Sequence, residues 1–212
     1  MSGDDTGLGD PRAVQILTTE HFSLLSTRTL GVQEIIGRTT IFIGVLSGIL
    51  IALALLAQAM RFGPETLLVA ALLISVALFI GLVTFVRSVV LNYEDAHWVE
   101  GMNLLRSAYL RIVPELEPFF ITGRTPGAGP DPLGHGGPQH WHHRARSLTT
   151  TSAIVAALNS LLAGSLAADL GALAGARLVV VAVLGGGVSL LSAVVHVRYA
   201  ARFRQRHLPG AR

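Results

Sequence analysis

Four histidines near the middle of the chain are the residues whose type and spacing best suit chemistry: His135, His140, His142 and His143. Neutral imidazole nitrogens are good ligands for zinc, nickel and copper. Their spacing matches no structural metal motif, however, and the chain has no cysteine to add to them. The glycines and prolines around them would also have to become ordered on binding. We therefore favour a solvated linker over a metal site, and we predict neither a metal nor a cofactor.

A second group, Glu94, Asp95 and His97, falls within one turn of a predicted helix. Such residues could form an acid–base pair or a metal site. On a charged helix surface they more often form salt bridges, which is the interpretation we favour. The sequence contains no hydrolase elbow, phosphate loop or metalloprotease helix. It therefore predicts a protein that is not an enzyme, with no catalytic or cofactor-binding residue.

Three polar residues stand out within or beside the apolar stretches of the chain. Asn159 carries an amide that needs a partner in hydrocarbon, which predicts an interhelical hydrogen bond, with a pore-lining or ligand role as the alternative. His196 is two residues from Arg198 and is predicted to lie at the membrane interface. Asp169 lies at the outer end of its stretch, where water can solvate it. The lack of other ionisable residues in these stretches argues against a proton-coupled transporter.

The elements that must position these residues are four uncharged stretches, each long enough as a helix to cross a hydrocarbon core of about 30 Å. The chain is 51% hydrophobic and 14% charged, with a mean hydropathy of +0.57. A soluble protein of this size would have too little chain left to cover four such stretches. We predict an all-α fold with four transmembrane helices in two hairpins, at residues 40–60, 66–86, 149–168 and 178–197.

The arginines predict the orientation in the membrane. All 16 basic residues are arginine, and 14 of them lie in the N-terminal, central and C-terminal segments. Only Arg61 and Arg177 lie in the two short connections. Because basic residues are retained on the cytoplasmic side, both termini and the central segment are predicted to be cytoplasmic in a multi-pass membrane protein. Since the arginines flank apolar stretches, they do not indicate nucleic-acid binding.

Local composition predicts the remaining segments. Thr18 and Thr19 suit a helix start, and Leu17, Leu24 and Leu25, with Phe22 nearby, form a rough apolar face. Prolines at positions 114 and 118 end a cytoplasmic extension of helix two. The predicted organisation is a disordered N-terminus (1–12), a cytoplasmic amphipathic helix (13–38), a first transmembrane hairpin with its helical extension (39–122), a Gly/Pro/His-rich linker (123–145), a second hairpin (146–202) and a basic tail (203–212).

Two patterns indicate packing surfaces. The extension of helix two carries an amphipathic stripe with heptad-like spacing, made of Leu91, Trp98, Met102, Leu105, Tyr109 and Ile112. The stripe can pack against the chain's own cytoplasmic helix, form an intersubunit coiled coil, or bind another protein. Small residues also recur every four positions and favour close helix packing, within the chain or between copies, at Gly44 and Gly48, at Ala156, Ser160, Gly164 and Ala168, and at Gly185, Ser189 and Ala193.

Three short motifs resemble a family of uncharacterised actinobacterial integral membrane proteins. They are LTTEHF at residues 17–22, Gly37-Arg38 before the first stretch, and PELEPFF at residues 114–120. The resemblance covers about residues 15–122. It implies a plasma-membrane protein and fits the use of arginine as the only basic residue, but it implies no activity and no site residue.

Together these observations predict a non-enzymatic multi-pass scaffold or interaction protein of the plasma membrane. We expect it to associate with itself through the small-residue faces and the amphipathic stripe. The alternative is an oligomeric channel or carrier for ions or small solutes, and a membrane enzyme is a remote third. The expected partners are the lipid bilayer, further copies of the chain and a possible cytoplasmic protein, but not nucleic acid.

Overall fold

The structure is a computed structural model that describes residues 8–60, 63–120 and 151–207. Within these ranges the chain is helical and contains no β-strand. The helices are α1 at Ala13–Met60, α2 at Pro64–Ile112, a short 3-10 helix at Pro114–Phe119, α3 at Thr151–Leu173 and α4 at Leu178–His207. The predicted linker at 123–145, most of the predicted disordered N-terminus and the end of the basic tail lie outside the described residues.

All four α-helices are long and apolar enough to cross a membrane. Many of their large apolar side chains are not packed inside the protein: Phe79 is 68% exposed, Val183 68% and Leu190 71%. In an 18-residue apolar stretch of α4, no residue is buried. So many apolar side chains are stable on a surface only where the surrounding solvent is itself apolar. The prediction of a multi-pass membrane protein with four candidate spans is thereby confirmed.

Helix α1 begins before the threonines that the sequence suggested as caps. The Asp10 carboxylate accepts a hydrogen bond from the backbone N–H of Arg12 at 2.8 Å, and the N–H of Ala13 donates to the Asp10 carbonyl oxygen at 2.8 Å. The Arg12 guanidinium also donates to Asp10, which holds the pKa of this exposed carboxyl below its ordinary value. The prediction that Thr18 or Thr19 starts the helix is wrong, because Asp10 already forms the turn that precedes α1.

Helices α1 and α2 are each more than twice as long as a membrane span. They contain 48 and 49 residues, which is about 72 Å of helix at about 1.5 Å per residue. The sequence suggested that one segment ends and another begins at Gly37 and Arg38, but α1 continues through both residues. The helix tolerates Gly37 because one glycine inside a helix costs only about 1 kcal/mol. Helix α2 ends at Ile112, two residues before Pro114, where a regular helix cannot continue.

The chain forms two compact units. The first comprises Met1–Glu34 and Leu91–His142, and the second comprises Ile35–Val90 and His143–Arg212. Helices α1 and α2 therefore contribute to both units, whereas α3 and α4 belong to the second.

The second unit has a small apolar core to which three helices contribute fully buried side chains. Phe42 of α1, Ala77 of α2 and Val155 of α3 are each 0% exposed. Partly buried residues of α4, Ala200 and Phe203, pack against this core. Because the core is narrow, most of the apolar surface of these helices faces outward, as expected for helices surrounded by lipid.

In the first unit, α1 and α2 pack closely where a glycine faces an aromatic ring. A Cβ atom on Gly31 of α1 would lie 2.7 Å from Cζ3 of Trp98, so only glycine leaves room for the indole. Leu91 and Met102 are 2% and 3% exposed. These three members of the predicted stripe on α2 are therefore covered within one chain, which corresponds to the first of the three alternatives for the stripe.

A tight turn joins α3 to α4. Gly175 has a left-handed φ of +71°, which glycine adopts without the steric cost of a Cβ. The N–H of Ala176 donates to the carbonyl oxygen of Gly171 at 3.0 Å, and the N–H of Gly175 donates to that of Ala172 at 2.9 Å. This pair of bonds is a Schellman motif, which satisfies carbonyl groups at the end of α3 before α4 begins at Leu178.

Candidate functional site

Asn159 of α3 is the most deeply buried polar residue of the second unit, with 0% of its surface exposed. A Cβ atom on Gly81 of α2 would collide with Asn159 Oδ1 and would lie 2.8 Å from Cε2 of Phe42 in α1. The amide and the aromatic ring therefore occupy the space that a side chain at position 81 would need. This contact brings α1, α2 and α3 together at one level.

Neither polar atom of the Asn159 amide has a hydrogen-bond partner in the part of the chain that the structure describes. The prediction of an interhelical hydrogen bond is wrong for these residues, and the neighbour explains why. Gly81 has no side-chain donor or acceptor, and backbone groups inside α-helices are engaged in their own hydrogen bonds. What the glycine can offer is a Cα–H···O contact, worth about 0.5–1 kcal/mol. The amide thus fixes the position of α3 by shape more than by hydrogen bonding.

His196 of α4 is buried within the second unit. It is 5% exposed, and its ring packs edge-on against Phe85 of α2 with the ring centroids 4.5 Å apart. Its Nδ1 lies 2.7 Å from the carbonyl oxygen of Ser192, a distance that suits an N–H donor at Nδ1. In that tautomer Nε2 is an acceptor, and it has no partner among the described residues. The imidazole therefore anchors α4 to α2.

Three buried hydroxyl groups of the second unit are satisfied by their own helices, whereas Thr39 Oγ1 is buried and has no hydrogen-bond partner among the described residues. Thr84 Oγ1 donates to the Ile80 carbonyl oxygen at 2.8 Å, Ser88 Oγ donates to that of Thr84 at 2.8 Å, and Ser160 Oγ donates to that of Ala156 at 2.7 Å. The exposed hydroxyls of Ser47 and Ser75 also donate to carbonyl oxygens of their own helices. Hydroxyls bonded in this way are compatible with an apolar environment and need no ligand.

Helices α3 and α4 approach each other through small residues. A Cβ atom on Gly164 would collide with Ser189 Oγ and with the Gly185 carbonyl oxygen. A Cβ atom on Gly185 would lie 3.1 Å from the Cβ of Ala168. These are members of the predicted four-residue patterns, and here they bring two helices of one chain into backbone contact. The close packing they favour is therefore intramolecular at these positions.

In the first unit, Asp95 forms a salt bridge, which confirms for this residue the interpretation that the sequence favoured for Glu94, Asp95 and His97. Arg28 Nε of α1 donates to Asp95 Oδ1 of α2 at 2.6 Å. Both side chains are about one-third exposed, at 37% and 35%, so the pair contributes at most about 1 kcal/mol. His97 is exposed. No group of three or more potential metal ligands occurs in the described ranges, and the four clustered histidines lie outside them.

These features define an all-helical, multi-pass membrane protein. No protein-family model, no curated protein and no solved structure matches the chain. The class is therefore assigned from its helices and their surfaces.

Sequence reasoning did not find Gly81 or Phe42, the residues that surround Asn159. A usable signal was present, since Gly81 is the one glycine in the second apolar stretch. Glycines in membrane helices mark places where another helix comes close. The polar residue that fills such a place lies 78 positions further along the chain, and the sequence pattern does not connect the two.

Proposed function

We propose that the protein is a non-enzymatic, self-associating scaffold of the plasma membrane. The observation that carries this proposal is an apolar stripe on α1, named here the α1 stripe, that consists of Val14, Phe22, Leu25 and Val32. These side chains are 50%, 64%, 43% and 47% exposed. Val14 precedes residue 40, where the uncharged stretch of α1 begins, by 26 residues or about 39 Å of helix. Lipid hydrocarbon does not account for apolar residues so far from the span, and exposed apolar patches commonly mark interaction sites.

The spacing of the α1 stripe favours a second copy of the chain as its partner. Thr18 and Thr29 complete the series, which then advances by four, four, three, four and three residues. Alternating steps of three and four residues are typical of the seam of a coiled coil. Two copies related by a twofold axis would each present the same stripe, which makes the contact self-complementary. This surface takes the role that the sequence suggested for the stripe on α2, in which Leu91 and Trp98 lie against Gly31 of α1.

Replacing Phe22 and Leu25 by serine is expected to weaken self-association. Burying a large apolar side chain contributes about 1.5–3 kcal/mol, so loss of two is expected to lower the association constant by at least about 100-fold. Mass photometry of the detergent-solubilised protein, over a dilution series, measures the populations of monomer and oligomer.

The matched control replaces Ile16 and Leu30 by serine. These side chains are 65% and 63% exposed but lie on the other side of α1 from the stripe. The control should associate like the unchanged protein. Equal effects of both variants, or a protein that stays monomeric at all concentrations, would refute the proposal. A ring of copies that conducts ions in vesicles would support the alternative, an oligomeric channel.

We further propose that the four helices form two transmembrane hairpins, and that both termini, the N-terminal part of α1 and the C-terminal part of α2 are cytoplasmic. The uneven distribution of arginine supports this orientation. The tight Gly175 turn between α3 and α4 supports the second hairpin.

Single cysteines test this topology on a background that contains no natural cysteine. In right-side-out vesicles, a membrane-impermeant maleimide should label Glu65→Cys and Ala174→Cys, and it should label Ser26→Cys and Gln205→Cys only after the membrane is permeabilised. All four positions are exposed, so differences in labelling report the side of the membrane. Labelling of Ser26→Cys and Gln205→Cys on opposite sides would contradict two complete hairpins.

A further inference from the structure

A groove in the second unit combines two arginines with an apolar wall. Arg38 of α1 and Arg87 of α2 line it together with Phe79, Leu82, Val83, Val86 and Val90, and its volume is about 520 Å³. Both charged residues that line the groove, Arg38 and Arg87, carry a positive charge. The apolar residues recur on α2 at helical spacing, so they form one continuous surface along the helix.

The two arginines lie at the same end of the apolar stretches. Arg38 comes two residues before the stretch that begins at residue 40, and Arg87 directly follows the stretch that ends at residue 86. Guanidinium groups at the ends of membrane helices lie at the level of lipid headgroups. Each guanidinium has five N–H donors, so an arginine that already has a partner in the protein can still donate to a phosphate.

The apolar wall has the length that a lipid chain requires. Phe79 precedes Arg87 by eight residues, which is about 12 Å along the helix. The hydrocarbon core is about 30 Å thick, so one leaflet is about 15 Å, and the wall therefore covers most of the depth of a leaflet. Phe79, Val83 and Val86 are 68%, 47% and 41% exposed, so their side chains are available to an acyl chain. A phosphate near the arginines would thus place its acyl chain along α2 towards the middle of the membrane.

We propose that this groove binds an anionic glycerophospholipid, with its phosphate at Arg38 and Arg87 and an acyl chain along Phe79, Val83 and Val86. The charge complementarity between two guanidinium groups and a phosphodiester selects an anionic headgroup over a zwitterionic one, in which a nearby ammonium competes with the arginines. The wall of Phe79, Val83 and Val86 selects a membrane lipid over a free phosphate. The site does not depend on self-association of the chain.

Native mass spectrometry of the full chain in neutral detergent tests the site. Phosphatidylglycerol is expected to be retained on the protein more strongly than phosphatidylcholine with the same chains. The double variant Arg38→Gln/Arg87→Gln should bind phosphatidylglycerol roughly tenfold more weakly, since two charge-assisted hydrogen-bonding groups are lost. The control, Arg198→Gln/Arg202→Gln, removes the same charge outside the groove and should bind phosphatidylglycerol normally.

A second variant tests the apolar wall while keeping both arginines. Val83→Trp places a bulky side chain in the groove and should lower phosphatidylglycerol retention several-fold, whether or not the arginine variants fold. Equal retention of the two lipids, or equal losses in the two double arginine variants, would overturn the proposal. Complete displacement of phosphatidylglycerol by inorganic phosphate would show an anion site rather than a lipid site. A change of oligomeric state in Val83→Trp, without loss of lipid, would show that a second copy occupies the groove.

Discussion

Replacing Gly164 by valine is expected to lower the free energy of unfolding by about 3 kcal/mol or more, because it forces α3 and α4 apart. The first added atom already collides with Ser189 Oγ and with the Gly185 carbonyl oxygen. A serine side chain can rotate away, but a backbone carbonyl moves only if its helix moves. Reversible unfolding of the detergent-solubilised protein in mixed micelles of increasing SDS content measures the change.

The control for this experiment is Gly187→Val on α4. A Cβ atom on Gly187 meets nothing within 4 Å, so the same added atoms face outward there. Its unfolding free energy should differ from that of the unchanged protein by less than about 1 kcal/mol. Adding Ser189→Ala to Gly164→Val should restore only part of the lost stability, because the Gly185 carbonyl remains in place. Equal stability of the Gly164 and Gly187 variants would contradict the described contact between α3 and α4.

The membrane class could be predicted from the sequence because it depends on composition summed over long stretches. Four uncharged stretches remain recognisable however the helices rotate, and Pro114 ends a helix whatever surrounds it. The four-residue patterns that include Gly164 and Gly185 also correctly predicted that their helices pack closely. They did not show that these two helices pack against each other, because a small-residue face fits any similar face.

Helix rotation is the property that local sequence specified least well. The sequence grouped Leu17, Leu24 and Leu25 on one rough apolar face of α1, with Phe22 nearby. In the structure, Leu24 Cδ1 lies 3.2 Å from a Cβ built on Gly101, whereas Phe22 and Leu25 are exposed. Neighbouring positions on a helix differ by about 100°, so an apolar cluster can face two directions at once. Only the position of α2 separates the inward residue from the outward ones.

Asn159 shows a second limit of sequence reasoning. An amide in an apolar helix predicts a polar partner, because desolvating it without one costs about 1–3 kcal/mol. In the structure the amide instead faces Gly81, and its fit is steric. Which residue faces it depends on the register between α2 and α3, and register results from the packing of all the helices together.

The same contact leads to the second large effect: Gly81→Ala is expected to lower the free energy of unfolding by about 2 kcal/mol. The added methyl collides with Asn159 Oδ1 and crowds Phe42 Cε2 at 2.8 Å, and both neighbours are 0% exposed. Unfolding in SDS-containing mixed micelles again provides the measurement. Gly48→Ala on α1 is the matched control, since a Cβ there meets nothing within 4 Å and should leave stability unchanged or raise it by up to about 1 kcal/mol.

A double-mutant cycle separates the contact with Asn159 from a general intolerance of alanine at position 81. In Gly81→Ala/Asn159→Ala the amide is absent, so the methyl collides only with Phe42 and at least about 1 kcal/mol of the loss should be recovered. Asn159→Ala alone should change stability little, because the small cavity it leaves is offset by removal of an amide without a hydrogen-bond partner among the described residues. If the two single effects add to within about 0.5 kcal/mol, the two residues are not in contact and the register of α2 against α3 differs from that described. If the two effects are coupled, the amide of Asn159 requires glycine at position 81. Their contact then holds α2 and α3 in a single register.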